Sequence, residues 1–482
     1  MGKRGDISIE LMEGGGQPVF LNLATTLIRE IERGRLKPGD ALLGTRTMAR
    51  NLGLHRNTVD AAYQELTMQG WLVSEPSRGT FVARDLPDIA PAPGRRRNRV
   101  PAEAVETGKN APPPLRVSDG APDSRLMPRA ELARAFRRAL SAAAFLSDGG
   151  YGDPRGALPL RTALADYLGT ERGLTVSAAD LLVTRGSQMG LFLAASAIIE
   201  PGQAIAVEQP GYPLAWAAFR AAGARVLGVP VNAGGIDVAS LERLADREPS
   251  LKVVYVTPHH QYPTTVTLGA GRRLKLLDIA RRRGLTIIED DYDHEYRFDG
   301  RPVLPLAGRA EAELPVIYVG SLSKLLAPAV RAGYVTARPD LLARMADRRE
   351  AIDRQGDLPL EQALASLIED GTLRRHARKA RRIYQSRRDH LAKELIDRLG
   401  DEVTFDIPAG GLAIWLRLRV GLSAETWAAN AHRSGLAVTP GLQFALDAAS
   451  APEAFRIGYA SLDEKELTRL VGLFARTRPG SR

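Results

Sequence analysis

Between residues 251 and 293 the chain reads LKVVYVTP, then RRLKLLDIARRRG, then LTIIEDDYD. The outer two are apolar runs of strand length, and the middle one repeats its apolar positions at helical spacing. Strand, helix and strand in a single crossover leave little freedom: the two strands lie parallel in one sheet, with the helix against its face. Leu274, Leu277, Ile279 and Ala280 are expected to form the packed face of that helix, and Gly284 to stop it. The later run PVIYVGSLSK supplies another strand. Most of the chain therefore reads as α/β.

A length of 482 residues exceeds one ordinary core, so two or three domains are expected. The break is visible at residues 86–115, LPDIAPAPGRRRNRVPAEAVETGKNAPPPL, where proline and charge replace apolar periodicity. We read this as a semi-extended linker, its GRRRNR run solvated unless DNA passes close by. Residues 1–85 then form a helical module ending in a hairpin, and residues 116–482 the α/β unit. Within that unit a smaller α+β subdomain begins near residue 357, where a long charged helical stretch precedes VTFDIPAGGLAIWLRL and FRIGYA.

Composition narrows the classes. No apolar run approaches the roughly 20 residues that span a bilayer, so no membrane partner is expected, and the N-terminus lacks the apolar core of a signal peptide. There is no cysteine, which excludes disulfides, thiolate nucleophiles and cysteine zinc sites and suits a reducing cytoplasm. No metal site is expected either: His259 and His260, adjacent on a strand, should point apart. The net charge of +10 permits a polyanionic partner.

In the first module, TRTMARNLGLHRNTVDAAYQEL reads as a helix, a tight turn at Gly53 and a second helix starting near His55. Met48, Ala49 and Leu52 face the core from the first helix, and Val59, Ala62, Tyr63 and Leu66 from the second. His55, Arg56, Asn57 and Thr58 are left at the exposed start of the second helix, the end that a helix-turn-helix inserts into the major groove. Arg suits guanine, Asn suits adenine, and Thr suits a thymine methyl or a phosphate. WLVSEPSRGTFVA follows as a two-stranded wing with Pro76 and Gly79 in its turn and Arg78 able to lie along the backbone. LKPGDALLGTRTMARNLGLHRNTVDAAYQELTMQGWLVSEPSRGTFV resembles the winged helix-turn-helix of GntR-type bacterial repressors. That resemblance implies DNA contacts by Arg46, Arg56, Thr58 and Gly79. The chain departs from the pattern at Leu43, where proline is usual.

In the α/β unit the question is Lys324, inside VIYVGSLSKLLAPAVRAGYV. A lysine becomes a nucleophile only where its pKa is lowered or it is held as an imine. Pyridoxal phosphate requires such a lysine, a carboxylate for its ring nitrogen, a phosphate cup and a ring support. LLVTRGSQMGLFLAASAI offers a glycine turn and a helix start with Ser187, VEQPGYPLAW offers Tyr212, and IIEDDYDHEY offers Asp290 at a strand end. Ser321, Ser323 and Arg331 flank the lysine.

From Val117 onward these motifs resemble fold-type-I aminotransferases of the aspartate aminotransferase class. The resemblance implies Lys324 as the Schiff-base lysine, Asp290 as the partner of the ring nitrogen, Tyr292 as a donor to the ring O3′ and Tyr212 as the stacking ring. It implies Gly186, Ser187, Gln188 and Arg331 at the phosphate, and Tyr151 reaching the phosphate of the partner subunit. Arg456 in FRIGYA would hold an effector carboxylate. The usual asparagine loop is replaced by TPHHQYPTT, so His260 or Gln261 stands in for its ring contact, and Thr265 occupies a customary glycine position. The two modules together resemble the MocR/GabR transcriptional regulators. This implies a cytoplasmic bacterial homodimer that binds double-stranded operator DNA and senses an amino compound, or the cofactor itself, through pyridoxal phosphate. The alternative is a working class I aminotransferase with an appended DNA reader.

Overall fold

The computed structural model describes residues 19–75, 78–84, 115–141, 151–299, 303–310 and 314–480. They fall into two compact units, Met1–Lys109 and Asn110–Arg482. The expected linker up to residue 114, with its GRRRNR run, lies outside the described residues, as does Pro76 of the wing.

In the first unit, helices Val19–Glu32, Thr45–Leu52 and Arg56–Met68 precede strands β1 (Leu72–Glu75) and β2 (Gly79–Val82), which pair antiparallel. Leu23, Leu27, Met48, Val59, Ala62 and Leu66 close its core, while Leu52 is only half-buried. Gly53 adopts φ 64° and ends the second helix, a left-handed conformation that costs glycine nothing. Where Leu43 replaces the customary proline, its carbonyl accepts a hydrogen bond from the Tyr63 hydroxyl at 2.8 Å. That bond pins the entry to the second helix from the third.

The second unit begins with a two-residue strand, β3 (Leu115–Arg116). Its large sheet contains β4 (Leu181–Thr184), β5 (Ala204–Gln209), β6 (Arg225–Asn232), β7 (Gly235–Ile236), β8 (Leu251–Val256), β9 (Thr286–Asp291), β10 (Val316–Ser321) and β11 (Gly333–Thr336). The order across it is β4-β11-β10-β9-β8-β5-β6-β7. Neighbours from β10 to β6 are parallel, as expected from the crossover pattern. β11 is the exception, antiparallel to both neighbours. The short connection 322–332 cannot carry a full crossover, so the chain returns as a hairpin-like reversal.

The crossover helix runs Ala270–Arg283 and stops at Gly284. Its buried stripe is Arg273, Leu276, Ile279 and Ala280, whereas Leu274 is 62% exposed and Leu277 half-buried. The expected face was thus rotated by about one residue. The cause is Arg273, whose guanidinium donates to the carbonyls of Leu268, Pro258 and Leu304 at 2.7–2.8 Å. With each guanidinium nitrogen donating to a carbonyl, a charged residue can occupy a buried position, and counting apolar residues misplaces the stripe.

The smaller subdomain carries β12 (Val403–Thr404), β13 (Ala413–Leu418), β14 (Leu436–Ala437), β15 (Thr439–Pro440) and β16 (Ala454–Gly458). β12, β13, β16 and β15 form an antiparallel sheet. Helices Ala424–Arg433 and Glu464–Arg476 pack against it through Trp427 and Phe474, stacked with centroids 4.4 Å apart. β14 pairs in parallel with β3. Leu115 therefore belongs to the folded unit rather than to the linker, and the smaller subdomain includes chain from both ends of that unit. Among the described residues no helix is long and apolar enough to cross a membrane.

Candidate functional site

The expected cofactor residues come from the carboxyl ends of β4, β5, β8, β9 and β10, the edge where parallel sheets take ligands. At the end of β10 the Ser321 hydroxyl accepts from the Lys324 backbone N–H at 3.3 Å and opens a one-turn helix. Lys324 is half-buried, and its Nζ donates to the Gly120 carbonyl at 2.9 Å. Desolvation pulls its pKa below the usual lysine range, and Asp119 only partly opposes this. The Tyr292 ring lies 6.0 Å from that amine.

Asp290, at the end of β9, is 3% exposed. Its Oδ2 accepts from the Tyr255 hydroxyl at 2.9 Å, while Oδ1 is buried with no hydrogen-bond partner. Burial raises its pKa to about 7 against the Tyr255 bond, and Asp291 and Asp293 add to the rise. A buried acceptor with one empty oxygen calls for an N–H donor, which a pyridinium ring supplies.

At the end of β4, Gly186 has φ 77° and precedes the helix Ser187–Ile198. A Cβ there would stand 3.2 Å from the Arg331 guanidinium carbon, so glycine is what lets that cation approach the helix start. Arg331, itself at φ 51°, donates to the Arg185 carbonyl at 2.9 Å. Free backbone N–H groups, the Ser187 hydroxyl and a guanidinium converge on one spot, a cup suited to a phosphate dianion. The Gln188 side-chain amide is turned away to the Leu214 carbonyl, to which it donates at 2.6 Å. Ser323 departs from expectation. Its single proton is directed at the Ala332 carbonyl (3.2 Å) while its oxygen accepts from the Ala332 N–H (3.0 Å), so it holds the turn and has no proton to give a phosphate.

Tyr212 packs edge-on against Tyr262, with centroids 4.9 Å apart. The Tyr292 hydroxyl donates to the His260 carbonyl at 3.0 Å. His260 Nδ1 pairs with Asp293 Oδ1 at 2.8 Å. Gln261 donates to the carbonyls of Pro210 and Tyr262 and accepts from Thr264, so its amide braces its own loop and is not offered to a ring. Thr265 sits at φ 64°, which explains why glycine is customary there: a β-branched residue in this region is strained. His259 and His260 do not point apart as expected. They follow β8 in a bend, not in a strand, and their ring centroids lie 4.3 Å apart.

Arg456 is 1% exposed. It donates to the carbonyls of Asp119 and Pro263, each at 2.5 Å, and lies 4.4 Å over the Tyr262 ring. The Tyr262 hydroxyl donates to Asp119. Burial alone would raise the Asp119 pKa, but Lys324, the Tyr262 bond and Arg456 together hold it below the usual carboxylate range. Asp119, Gly120, Tyr255 and Tyr262 were missed by the sequence reading. Tyr151 is 75% exposed, with the Arg354 guanidinium 4.2 Å over its ring.

In the first unit His55, Arg56 and Asn57 are exposed and Thr58 half-buried at the start of helix Arg56–Met68. His55 makes no side-chain cap bond, so all four side chains are uncommitted to the helix end, apart from an Arg56–Asp60 pair at 3.5 Å. Arg46 is exposed in the first turn of the preceding helix, and Arg78 and Gly79 at the wing tip. There Arg78 pairs with Glu75 at 2.6 Å.

The larger unit thus has the fold and the residue set of a fold-type-I pyridoxal phosphate protein, and its cofactor is pyridoxal 5′-phosphate. Residues 117–474 match the family described as aminotransferase class I and II, and residues 21–82 match bacterial regulatory proteins, gntR family. The chain is 30% identical over 470 residues to the probable rhizopine catabolism regulatory protein MocR of Rhizobium meliloti, covering 93% of this chain and 92% of that one. It is 33% identical over 397 residues to the HTH-type pyridoxine biosynthesis transcriptional regulator PdxR of Corynebacterium glutamicum, covering 82% of each. Among solved structures, the α-aminoadipate aminotransferase LysN of Thermus thermophilus superposes with a TM-score of 0.69 at 30% identity, over 76% of this chain and 92% of that one. The chain belongs to the MocR-type regulators, in which a GntR-type DNA-binding domain is fused to an aminotransferase-like domain.

Proposed function

We propose that the protein regulates transcription as a homodimer, binding a duplex operator through its two winged units and sensing a small amino compound at Lys324. The observation that carries this reading is the contact of the Lys324 amine with Gly120, beside Asp119, residues only a few positions from β3, the strand that opens the larger unit. The aldehyde of pyridoxal phosphate supplies an electrophilic carbon for an amine. The protein's part is to hold Asp290 as acceptor for the ring nitrogen, to cup the phosphate with Gly186, Ser187 and Arg331, and to keep Lys324 poorly solvated. An effector amine bound in this pocket would leave the Lys324 amine free, so the seat of that amine against Gly120 and Asp119 would differ between the two states. A ligand shifts a two-state equilibrium only through such differential contacts. Arg456 favours an effector bearing a carboxylate or sulfonate: its buried charge rests on backbone carbonyls, and a bidentate anion is its natural partner. Tyr151, exposed on the single chain, suits a contact made across a dimer.

The test is to compare wild type with Lys324→Ala for visible absorbance after soaking in pyridoxal phosphate, then to screen amines for spectral shifts with operator DNA present. Wild type should absorb and the variant should not. An effector that shifts both the spectrum and DNA affinity, without multiple turnover on a keto acid, supports the regulator. Sustained turnover with DNA affinity unmoved would replace it with the enzyme reading.

A further inference from the structure

Successive side chains of a strand face opposite sides, so Asp291 turns away from Asp290. It pairs instead with Arg172 at 2.5 Å and accepts from the Tyr318 hydroxyl at 2.7 Å. Beside this pair lies a cavity of about 430 Å³ that shares no lining residue with the cofactor site, a size that suits a small organic ligand. His259 is one of its lining residues. It is 3% exposed, and neither ring nitrogen has a hydrogen-bond partner. Arg297 lines the wall, with Nε and Nη1 also buried and unpartnered. Arg378 and Arg381, three residues apart on the helix Thr372–Leu399 and therefore on one face, stand exposed at the rim.

The charges around this space do not balance. Glu171 is engaged by Arg374 at 2.7 Å, and Glu295 Oε1 lies 3.2 Å from His294 and accepts from the Tyr167 hydroxyl at 3.0 Å, while Glu295 Oε2 is buried without a hydrogen-bond partner. With Asp291 held by Arg172, none of Arg297, Arg378 and Arg381 forms a salt bridge among the described residues, and the carboxylate acting on Arg297, Asp299, is already engaged by Arg388 at 2.5 Å. Buried donors without partners are costly and rare, and here they line the same cavity as uncompensated guanidinium groups. Burial, then His260, keeps His259 neutral by lowering its pKa well below the usual range. A neutral imidazole still carries one N–H to donate.

We propose that this cavity binds a small oxyanion with two or more negative charges, a phosphate ester or a polycarboxylate, with its inner oxygens on His259 and Arg297 and its outer ones on Arg378 and Arg381. Guanidinium forks pair with either chemistry. A DNA backbone could meet the rim arginines but not the buried His259. The site goes beyond the proposed function, because its ligand is an anion and its residues are not those of the amine pocket.

The test is calorimetric titration of the full chain, saturated with pyridoxal phosphate as read by its visible absorbance, with pyrophosphate and separately with citrate. One binding event per chain is expected with at least one of them. Affinity should fall about tenfold or more, the loss of charge-assisted hydrogen bonds, in Arg297→Gln and in the double variant Arg378→Gln/Arg381→Gln, whose exposed positions leave the core untouched. It should not change in Ser187→Ala. Binding of pyrophosphate alone assigns a phosphate ester, and of citrate alone a polycarboxylate. No binding to wild type, or binding sensitive to Ser187→Ala and not to the arginine variants, overturns the proposal. So does a double variant that titrates like wild type but binds duplex DNA weakly, which would assign the rim to the DNA backbone.

Discussion

Glu208, buried behind the loop that carries His260 and Gln261, shows how a single side chain can make the fold sensitive to pH. Its Oε2 accepts from the Thr257 N–H at 3.0 Å and the Thr257 hydroxyl at 2.6 Å, yet burial outweighs these bonds and raises its pKa to about 7. A carboxyl whose pKa is raised on folding favours the folded state below its unfolded pKa, and that contribution is lost as pH rises through the folded value. Stability should therefore fall between about pH 4.5 and 7, by up to about 3.5 kcal/mol for this group at roughly 1.4 kcal/mol per unit. Glu208→Gln should flatten that part of the profile, measured by urea unfolding at pH 5 and pH 8; an unchanged slope would remove Glu208 from the account. At this scale the sequence revealed residues that sit in motifs, such as Lys324, Asp290 and Arg331. It could not reveal Gly120, which meets Lys324 across 204 positions of chain, nor Asp119 and Tyr262, whose pairing exists only once the smaller subdomain is in place.

The elements were more legible than their edges. Long apolar runs announced β8, β9 and β10 because strands buried on both faces need no alternation. β3 could not be seen, since two residues carry no period. The recognition helix was legible from its start, because Gly53 and the polar run from His55 to Thr58 interrupt two apolar stripes. Arg56→Ala should weaken specific operator binding by about 1–3 kcal/mol, the usual worth of a base-reading pair, while the cofactor absorbance stays intact. Fluorescence anisotropy against specific and scrambled duplexes checks this, and equal losses on both would make Arg56 a phosphate contact instead.

For the whole molecule, the segment from Leu115 to Gly120 matters most. Leu115 and Arg116 pair with β14, the Ser118 carbonyl accepts from the Gly458 N–H at 2.9 Å, and Asp119 and Gly120 meet Arg456 and Lys324. Asp119→Asn keeps an acceptor for Tyr262 but removes the charge that Lys324 and Arg456 share. The variant should retain the chromophore and operator binding but lose the change in DNA affinity that an effector amine causes. A full effector response in this variant would place the coupling elsewhere.

Because that segment is the first described stretch of the larger unit, the wall of the amine pocket is built in part from the chain that opens the unit. One short run of backbone thus serves two masters, the seam with β14 and the seat of the amine, and a substitution that loosens the first is felt by the second.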